Sequence, residues 1–265
     1  MIYLNDTLIE EKSFPDGTPL IKFDWDWFYT KSQLGFDNNS ITWKYDNDGE
    51  LFRLVCLRKH LRNVPMDLYL PYVPNARQDR VRGQDDVFTL KYFAEEINSL
   101  GFKRVFCMDA HSDVAPALID NFHAMSPVKY IEKAINGCSD TPILFYPDTG
   151  SAKRYSDMLI LPYACGIKHR AKTGDIESLT VSDNGIDLQG KTILIVDDIC
   201  SRGGTFLRSA KKLKELGVDK IYLYITHCEN TILEGDLLTS GLIERVFTTD
   251  SIFRKSHEKI EVFQI

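Results

Sequence analysis

The sequence lacks two patterns that would mark a secreted or membrane-bound protein. Its six cysteines are scattered and no two of them form a C-x-x-C pair, so we expect reduced thiols and no zinc site. No apolar run approaches the length of a membrane span, and the first residues carry neither the basic nor the apolar segment of a secretory signal. We therefore expect a cytoplasmic protein with no membrane partner.

The chain also lacks an excess of positive charge. Its formal net charge is −6, which gives no reason to expect a nucleic acid or another polyanion as partner. No repeat of solenoid period and no low-complexity linker interrupts the 265 residues, a length that allows one large or two modest domains. A phosphate site in such a protein has to be a local cluster.

One stretch organises the rest of the sequence. Residues 193–196 form a short, unbroken and largely β-branched run, typical of a strand covered on both faces in a parallel sheet. Asp197 and Asp198 follow, and a small-residue loop then leads into a helix predicted over 205–217. The loop consists of Ser201, Arg202, Gly203, Gly204 and Thr205. Loop amides at a helix start hold phosphate, and carboxylates suit sugar hydroxyls or a divalent cation, so the stretch predicts a ribose 5-phosphate site.

This stretch resembles the ribose-phosphate-binding motif shared by type I phosphoribosyltransferases and ribose-phosphate pyrophosphokinases, also called PRPP synthetases. A basic loop at 71–82, whose composition alone fits a solvated loop equally well, resembles the P-Y-x-x-Y-A-R-Q-D-R string of PRPP synthetases. That resemblance implies that Arg77 and Gln78 contact ATP. Residues 108–111 resemble the family's M-D-L-H string, which implies that His111 is a ligand of magnesium-ATP.

Residues 147–154 resemble a further string of the family, P-D-x-G-G-x-x-R. The resemblance implies that Asp148 binds Mg²⁺ while the amides of Thr149, Gly150 and Ser151 cradle pyrophosphate. An aspartate at a strand end, followed by glycine and basic residues, also fits a helix N-cap turn, and this alternative stays open.

Residues 162–175 are basic and weakly periodic, which predicts a mobile loop. The resembled family carries a catalytic flexible loop here with a K-x-R pattern, and Lys168, His169 and Arg170 match it. The resemblance implies that Lys168 and Arg170 neutralise the charge that develops on a transferring diphosphoryl group. Type I phosphoribosyltransferases do not share this combination of strings, so the resemblance favours the PRPP synthetases.

The turn at 14–17 resembles the F-x-D-G-E turn of the family, with Thr18 in place of the usual glutamate. In PRPP synthetases this turn reaches the adenine of ATP in a neighbouring subunit. The resemblance therefore implies ATP contacts for Phe14 and Asp16, and a homo-oligomer that is a dimer or a hexamer.

The predicted fold class is α/β, with two similar phosphoribosyltransferase-like domains, each a mostly parallel sheet flanked by helices. We place an ATP-side domain at 1–126 and a ribose-phosphate-side domain at 127–265. Local patterns also predict strands at 21–28, where apolar and polar residues alternate, and at 158–161. His227 follows a predicted strand and is assigned a structural role.

The implied reaction is transfer of the β,γ-diphosphate of ATP to the 1-hydroxyl of ribose 5-phosphate, with Mg²⁺ as cofactor, in nucleotide biosynthesis or NAD metabolism. Arg202 replaces a small residue of the family's phosphate loop. It either points to solvent or pairs with a carboxylate, or it signals a larger acceptor such as ADP-ribose. Two other hypotheses stay open: a catalytically silent regulatory subunit of PRPP synthetase type, and a phosphoribosyltransferase that uses PRPP.

Overall fold

The chain divides into two units at the peptide bond between Ser126 and Pro127. The computed structural model describes residues 1–33, 39–170 and 176–265, and within these ranges it leaves out the side chains of residues 31–33, 168–170 and 176–179. Among the helices so described, none is long and apolar enough to cross a membrane.

The first unit, Met1–Ser126, is built on a six-stranded sheet of order β2-β1-β5-β6-β7-β8. Its strands are β1 (Ile2–Leu4), β2 (Thr7–Leu8), β3 (Lys12–Ser13), β4 (Pro19–Leu20), β5 (Ser40–Trp43), β6 (Asp67–Leu70), β7 (Arg104–Met108) and β8 (Phe122–Met125). Its helices are α1 (Trp25–Gln33), α2 (Gly49–His60), α3 (Thr89–Ser99) and α4 (Val114–Leu118). Strands β5 to β8 run parallel, β1 and β2 are antiparallel additions, and β3 and β4 form a separate hairpin.

The second unit, Pro127–Ile265, is built on a seven-stranded sheet of order β11-β10-β9-β12-β13-β14-β15. Its strands are β9 (Ile143–Tyr146), β10 (Tyr163–Arg170), β11 (Ile176–Ser182), β12 (Thr192–Cys200), β13 (Lys220–Cys228), β14 (Arg245–Thr249) and β15 (Ile260–Phe263). Its helices are α5 (Val128–Asn136), α6 (Thr149–Tyr155), α7 (Gly204–Glu215) and a 3-10 turn at Asn230–Glu234. Every pair in this sheet is parallel except β10 with β11.

Burial explains why the helices and the central strand form where they do. In α3 the buried side chains are Leu90, Phe93, Ala94 and Ile97, a spacing of three and four residues that places them on one face. In the second unit the four residues 193–196 have no exposed surface, because β12 lies between β9 and β13. The predicted α/β class, with two mostly parallel sheets flanked by helices, is confirmed.

Three local predictions are wrong. Residues 21–28 do not form a strand, because the Asp24 carboxylate accepts the Trp27 amide at 2.9 Å and starts α1 at Trp25. Residues 158–161 are not a strand either, and Ile160 is fully exposed there. The strand begins instead at Tyr163 and runs through Arg170, so this part of the mobile loop predicted over 162–175 is a strand paired with β11, and residues 171–175 lie outside the described residues.

Candidate active site

Two carboxylates lie near the end of the central strand of the second unit. The sequence pattern predicts a strand over 193–196 that ends before these two residues. In the structure β12 continues through Asp197 and Asp198 to Cys200, in parallel register with β13. Asp198 is buried and its Oδ2 forms an ion pair with Nη1 of Arg154, on α6, at 2.9 Å. Asp197 Oδ1 accepts the amide of Asp198 at 3.0 Å. The two side chains are therefore held in different ways.

A third carboxylate, that of Asp148 at the end of β9, belongs to the same cluster. Burial raises the pKa of Asp197 well above its usual range, and the negative charges of Asp198 and Asp148 raise it further. Strands β9 and β12 are neighbours in the sheet, so their carboxyl ends meet at one edge. The carboxylate oxygens at this edge can coordinate a hard cation or accept hydrogen bonds from sugar hydroxyls.

Asp148 is the N-cap residue of α6. Its Oδ1 accepts the amides of Gly150 and Ser151, each at 3.0 Å, and its carbonyl oxygen accepts the amide of Ala152 at 3.1 Å. The hydrogen bonds of an N-cap turn are thus present, and the assignment of Mg²⁺ to Asp148 stays a prediction. Amides predicted to cradle pyrophosphate donate to Asp148 here, so a diphosphate would have to take the place of that carboxylate.

Residues 201–205, which we call the anion loop, join β12 to α7. Gly203 has a φ of +79°, in the left-handed region that favours glycine, and its Cα faces Leu237 so closely that a methyl group would lie 2.8 Å from Cδ2. Helix α7 starts at Gly204, where an added methyl group would meet no atom within 4 Å. The Arg202 guanidinium pairs with Glu234 at 3.0 Å, and both side chains are mostly exposed. The pairing of Arg202 with a carboxylate is therefore observed.

A segment after β13 supports the anion loop and was missed by sequence reasoning. We call residues 229–237 the brace. The Ser201 hydroxyl donates to Glu229 Oε2 at 2.7 Å, and the Thr231 hydroxyl donates to the same oxygen at 3.1 Å. The only available signal was topological: the brace follows the strand beside β12, where the loops of a parallel sheet meet.

In the first unit, Asp79 connects the two loops that carry the predicted ATP contacts. These loops follow the neighbouring strands β6 and β7. Asp79 is buried and accepts two hydrogen bonds from Arg80, from Nε at 2.8 Å and from Nη2 at 3.2 Å. Its pKa is lowered by Arg80, by a hydrogen bond from Ser112 and by the charge of His111. The fold therefore brings the loop of Arg77 close to that of His111.

The predicted ATP contacts other than His111 lie at exposed or half-buried positions of the first unit. Arg77 is exposed and Gln78 is half-buried. The Gln78 amide closes a turn on the carbonyl of Asn75, whose φ of +62° suits an asparagine better than the aromatic residue of the resembled string. Phe14 is exposed at the tip of the β3–β4 hairpin, as the turn prediction requires. The pKa of Asp16, beside it, is lowered by the amide and hydroxyl of Thr18.

The predicted catalytic residues Lys168 and Arg170 lie in β10, opposite Leu179 and Ile176 of β11. Their side chains, together with residues 171–175, lie outside the described part of the chain. The assignment of charge neutralisation to them stays a prediction.

Comparison with known proteins gives a consistent family. Residues 152–235 match the phosphoribosyl transferase domain. The chain is 27% identical over 250 residues to a ribose-phosphate pyrophosphokinase of Thermococcus kodakarensis, covering 90% of this chain and 81% of that protein. It is 30% identical to ribose-phosphate pyrophosphokinase 2 of Enterococcus faecalis over 227 residues, 81% of this chain and 68% of the relative. The fold matches the crystal structure of phosphoribosylpyrophosphate synthetase from Mycobacterium smegmatis with a TM-score of 0.74 at 19% identity, covering 97% of this chain and 86% of that one.

Proposed function

The chain belongs to the ribose-phosphate pyrophosphokinase family, and from this premise we propose that it transfers the β,γ-diphosphate of ATP to the 1-hydroxyl of ribose 5-phosphate, giving PRPP and AMP. The observation that carries the proposal is the edge of the second sheet, where Asp148, Asp197 and Asp198 cluster at the carboxyl ends of the neighbouring strands β9 and β12. The anion loop follows directly on β12. The carboxylates and the anion loop together can bind the hydroxyls and the phosphate of one sugar phosphate.

In this proposal the acceptor is held by the second unit. Asp197 and Asp198 accept hydrogen bonds from the ribose hydroxyls, and the amides of the anion loop, together with the start of α7, hold the 5-phosphate. Arg154 contributes by pairing with Asp198, which holds that side chain in place. An anionic substrate approaches such a cluster more easily because one of its carboxylates is already paired.

ATP is assigned to the first unit, on Arg77, Gln78 and His111, with Phe14 and Asp16 as adenine contacts. Lys168 and Arg170 are assigned the role of neutralising the charge that develops on the diphosphoryl group during its transfer. The anomeric oxygen attacks the β-phosphorus and AMP leaves, so no covalent enzyme intermediate is needed. Holding both substrates in line accounts for much of the rate.

The cofactor in this proposal is Mg²⁺, which when bound would neutralise phosphate charge. No group of three His, Cys, Asp or Glu side chains forms a metal site by itself among the described residues. Mg²⁺ is commonly held by one or two carboxylates together with substrate phosphates, so the carboxylate of Asp148 fits this role. His111 is the proposed ligand on the ATP side.

The test is ATP-dependent formation of AMP and PRPP by the purified chain with ribose 5-phosphate. Asp197→Asn and Asp198→Asn should each abolish most of the activity, whereas Asp219→Asn, at an exposed position of the same unit, should leave it unchanged. PRPP formation independent of Asp197 and Asp198 would refute the assignment.

Parallel reactions separate the alternatives. Activity with ADP-ribose and none with ribose 5-phosphate would assign the larger acceptor, although Arg202 is already paired with Glu234. Base-dependent release of pyrophosphate from PRPP without ATP would indicate a phosphoribosyltransferase. Inactivity with every acceptor, combined with binding to an active PRPP synthetase, would indicate a regulatory subunit. The particle mass measured alongside tests the proposed homo-oligomer.

A further inference from the structure

The end of β12 and the start of the brace are joined by both backbone and side chains. Cys200 and Cys228 are register partners in the parallel pair β12–β13, so Ser201 and Glu229 leave the sheet side by side. The Glu229 amide donates to the Cys200 carbonyl at 2.8 Å. One residue further on, the Ser201 hydroxyl donates to the Glu229 carboxylate at 2.7 Å.

Two further residues of the brace pack directly against the anion loop. Gly235 lies so close to the backbone of Arg202 that a methyl group there would overlap the Arg202 carbonyl oxygen. Leu237, which is buried, packs against Gly203, the residue with positive φ that precedes α7. The loop is therefore backed at its first, second and third residues by one segment.

The contact between Ser201 and Glu229 determines what Ser201 can do for a ligand. A serine hydroxyl has a single hydrogen, and Ser201 donates it to Glu229 Oε2 at 2.7 Å, the shorter of its two side-chain contacts, since the Thr231 hydroxyl lies 3.2 Å away. That hydrogen is then not available to a phosphate oxygen. The backbone amides of the anion loop have to provide the donors, and amides bind an anion well only when the loop holds them in the correct direction.

We propose that Glu229 is a positioning residue that orients the anion loop for its phosphate through Ser201 and thereby sets the affinity for the phosphorylated acceptor without taking part in diphosphate transfer. The inference rests on the proposed function, because it takes the ligand of the loop to be the phosphate of that acceptor. Thr231, whose hydroxyl donates to the same carboxylate oxygen, is the second support of Glu229.

The test uses Glu229→Ala, Glu229→Gln, Ser201→Ala and the double variant Ser201→Ala/Glu229→Ala, with Glu244→Ala at an exposed position of the same unit as control. We expect Glu229→Ala to raise the KM for ribose 5-phosphate about tenfold, with kcat within about twofold of the parent, because a hydrogen bond to a charged group is lost. Glu229→Gln keeps an acceptor oxygen and should restore KM to within about threefold.

We also expect the effects of the Ser201 and Glu229 substitutions on binding of ribose 5-phosphate to be coupled. If Ser201 acts through Glu229, the double variant should bind ribose 5-phosphate no more weakly than either single variant. If Ser201 donated directly to the phosphate, the two losses would multiply. Calorimetric binding of ribose 5-phosphate and thermal melting of each variant distinguish a change in the loop from a loss of fold.

Several outcomes overturn the inference: an unchanged KM in Glu229→Ala, losses that multiply in the double variant, a fall in kcat as large as the rise in KM, or no rescue by Glu229→Gln. Binding of ribose 5-phosphate without PRPP formation refutes the proposed function alone, since the calorimetric comparison still tests Glu229. Absence of ribose 5-phosphate binding by the unaltered chain refutes both.

Discussion

Gly235→Ala should disturb the anion loop without touching any side chain that binds a ligand. Gly235 ends the 3-10 turn with a φ of −99°, a conformation that alanine adopts readily, so backbone strain is not the issue. The added methyl group would overlap the Arg202 carbonyl oxygen and would lie 2.9 Å from its carbon and 3.2 Å from Cα of Arg202. Non-bonded carbon atoms rest about 3.5–4.0 Å apart, so the brace and the loop have to separate by about 1 Å.

This separation has two measurable consequences. Overpacking of this kind costs about 1–3 kcal/mol of the free energy of unfolding, which urea denaturation can measure. A loop displaced by about 1 Å also misplaces amides that have to sit within about 3 Å of a phosphate oxygen. Loss of one such bond to a charged acceptor corresponds to an affinity for ribose 5-phosphate about ten to one hundred times weaker. Isothermal titration calorimetry measures the affinity directly.

Gly83→Ala provides the matched control. Gly83 also has no positive φ, and nothing lies within 4 Å of a methyl group added there. We expect its stability and its affinity for ribose 5-phosphate to equal those of the parent. If Gly235→Ala behaved in the same way as Gly83→Ala in both measurements, the view that the brace holds the anion loop in place would be wrong.

Three further predictions concern other parts of the chain. Asp79→Asn should lower stability at neutral pH, because Arg80 holds the pKa of Asp79 in the folded protein below its usual 3.8. A carboxylate whose pKa is lowered by folding stabilises the protein above its unfolded-state pKa, and this contribution is lost as the pH falls through the folded-state pKa. The difference in urea midpoint between parent and variant should therefore close well below pH 3.8, and a difference that persisted in acid would contradict this account. Ser251→Ala should cost about 1–3 kcal/mol of the free energy of unfolding, because the fully buried Ser251 hydroxyl contacts Nδ1 of His227 at 2.9 Å and the Thr226 carbonyl at 3.2 Å; an unchanged urea midpoint would remove this role. Lys168→Ala should reduce kcat for PRPP formation about 10²–10³-fold with little change in KM, whereas a change confined to KM would make Lys168 a binding residue.

Local sequence patterns were sufficient where the physical cause is local. The buried strand at 193–196, the acidic pair and the glycine loop all appear in one stretch, and the helix predicted over 205–217 forms as α7, Gly204–Glu215. The same reasoning failed at 21–28, where the alternation typical of a strand was overridden by the N-cap hydrogen bond that the Asp24 carboxylate accepts from the Trp27 amide. It also failed at 158–161, since an apolar run carries no information about whether a sheet has room for it.

The support of the site could not be predicted in this way. Ser201 contacts Glu229, which lies 28 positions later in the sequence. Arg154 pairs with Asp198, and strands β10 and β11 lie between Arg154 and β12 in the chain. Asp79 contacts Arg80, next to it in the sequence, and also Ser112 on the loop after the neighbouring strand. Each of these pairs consists of residue types common in solvated loops, so nothing in their spacing distinguishes them.

The residues that make up the candidate site were therefore available from the sequence alone, because the acidic pair and the glycine loop at the end of a buried strand are contiguous in the chain. Which residues hold them in place was decided only by the tertiary structure. The order of strands in the second sheet puts β9 and β13 on either side of β12, and hydrophobic periodicity, which reports only whether a residue faces the core, does not encode that order.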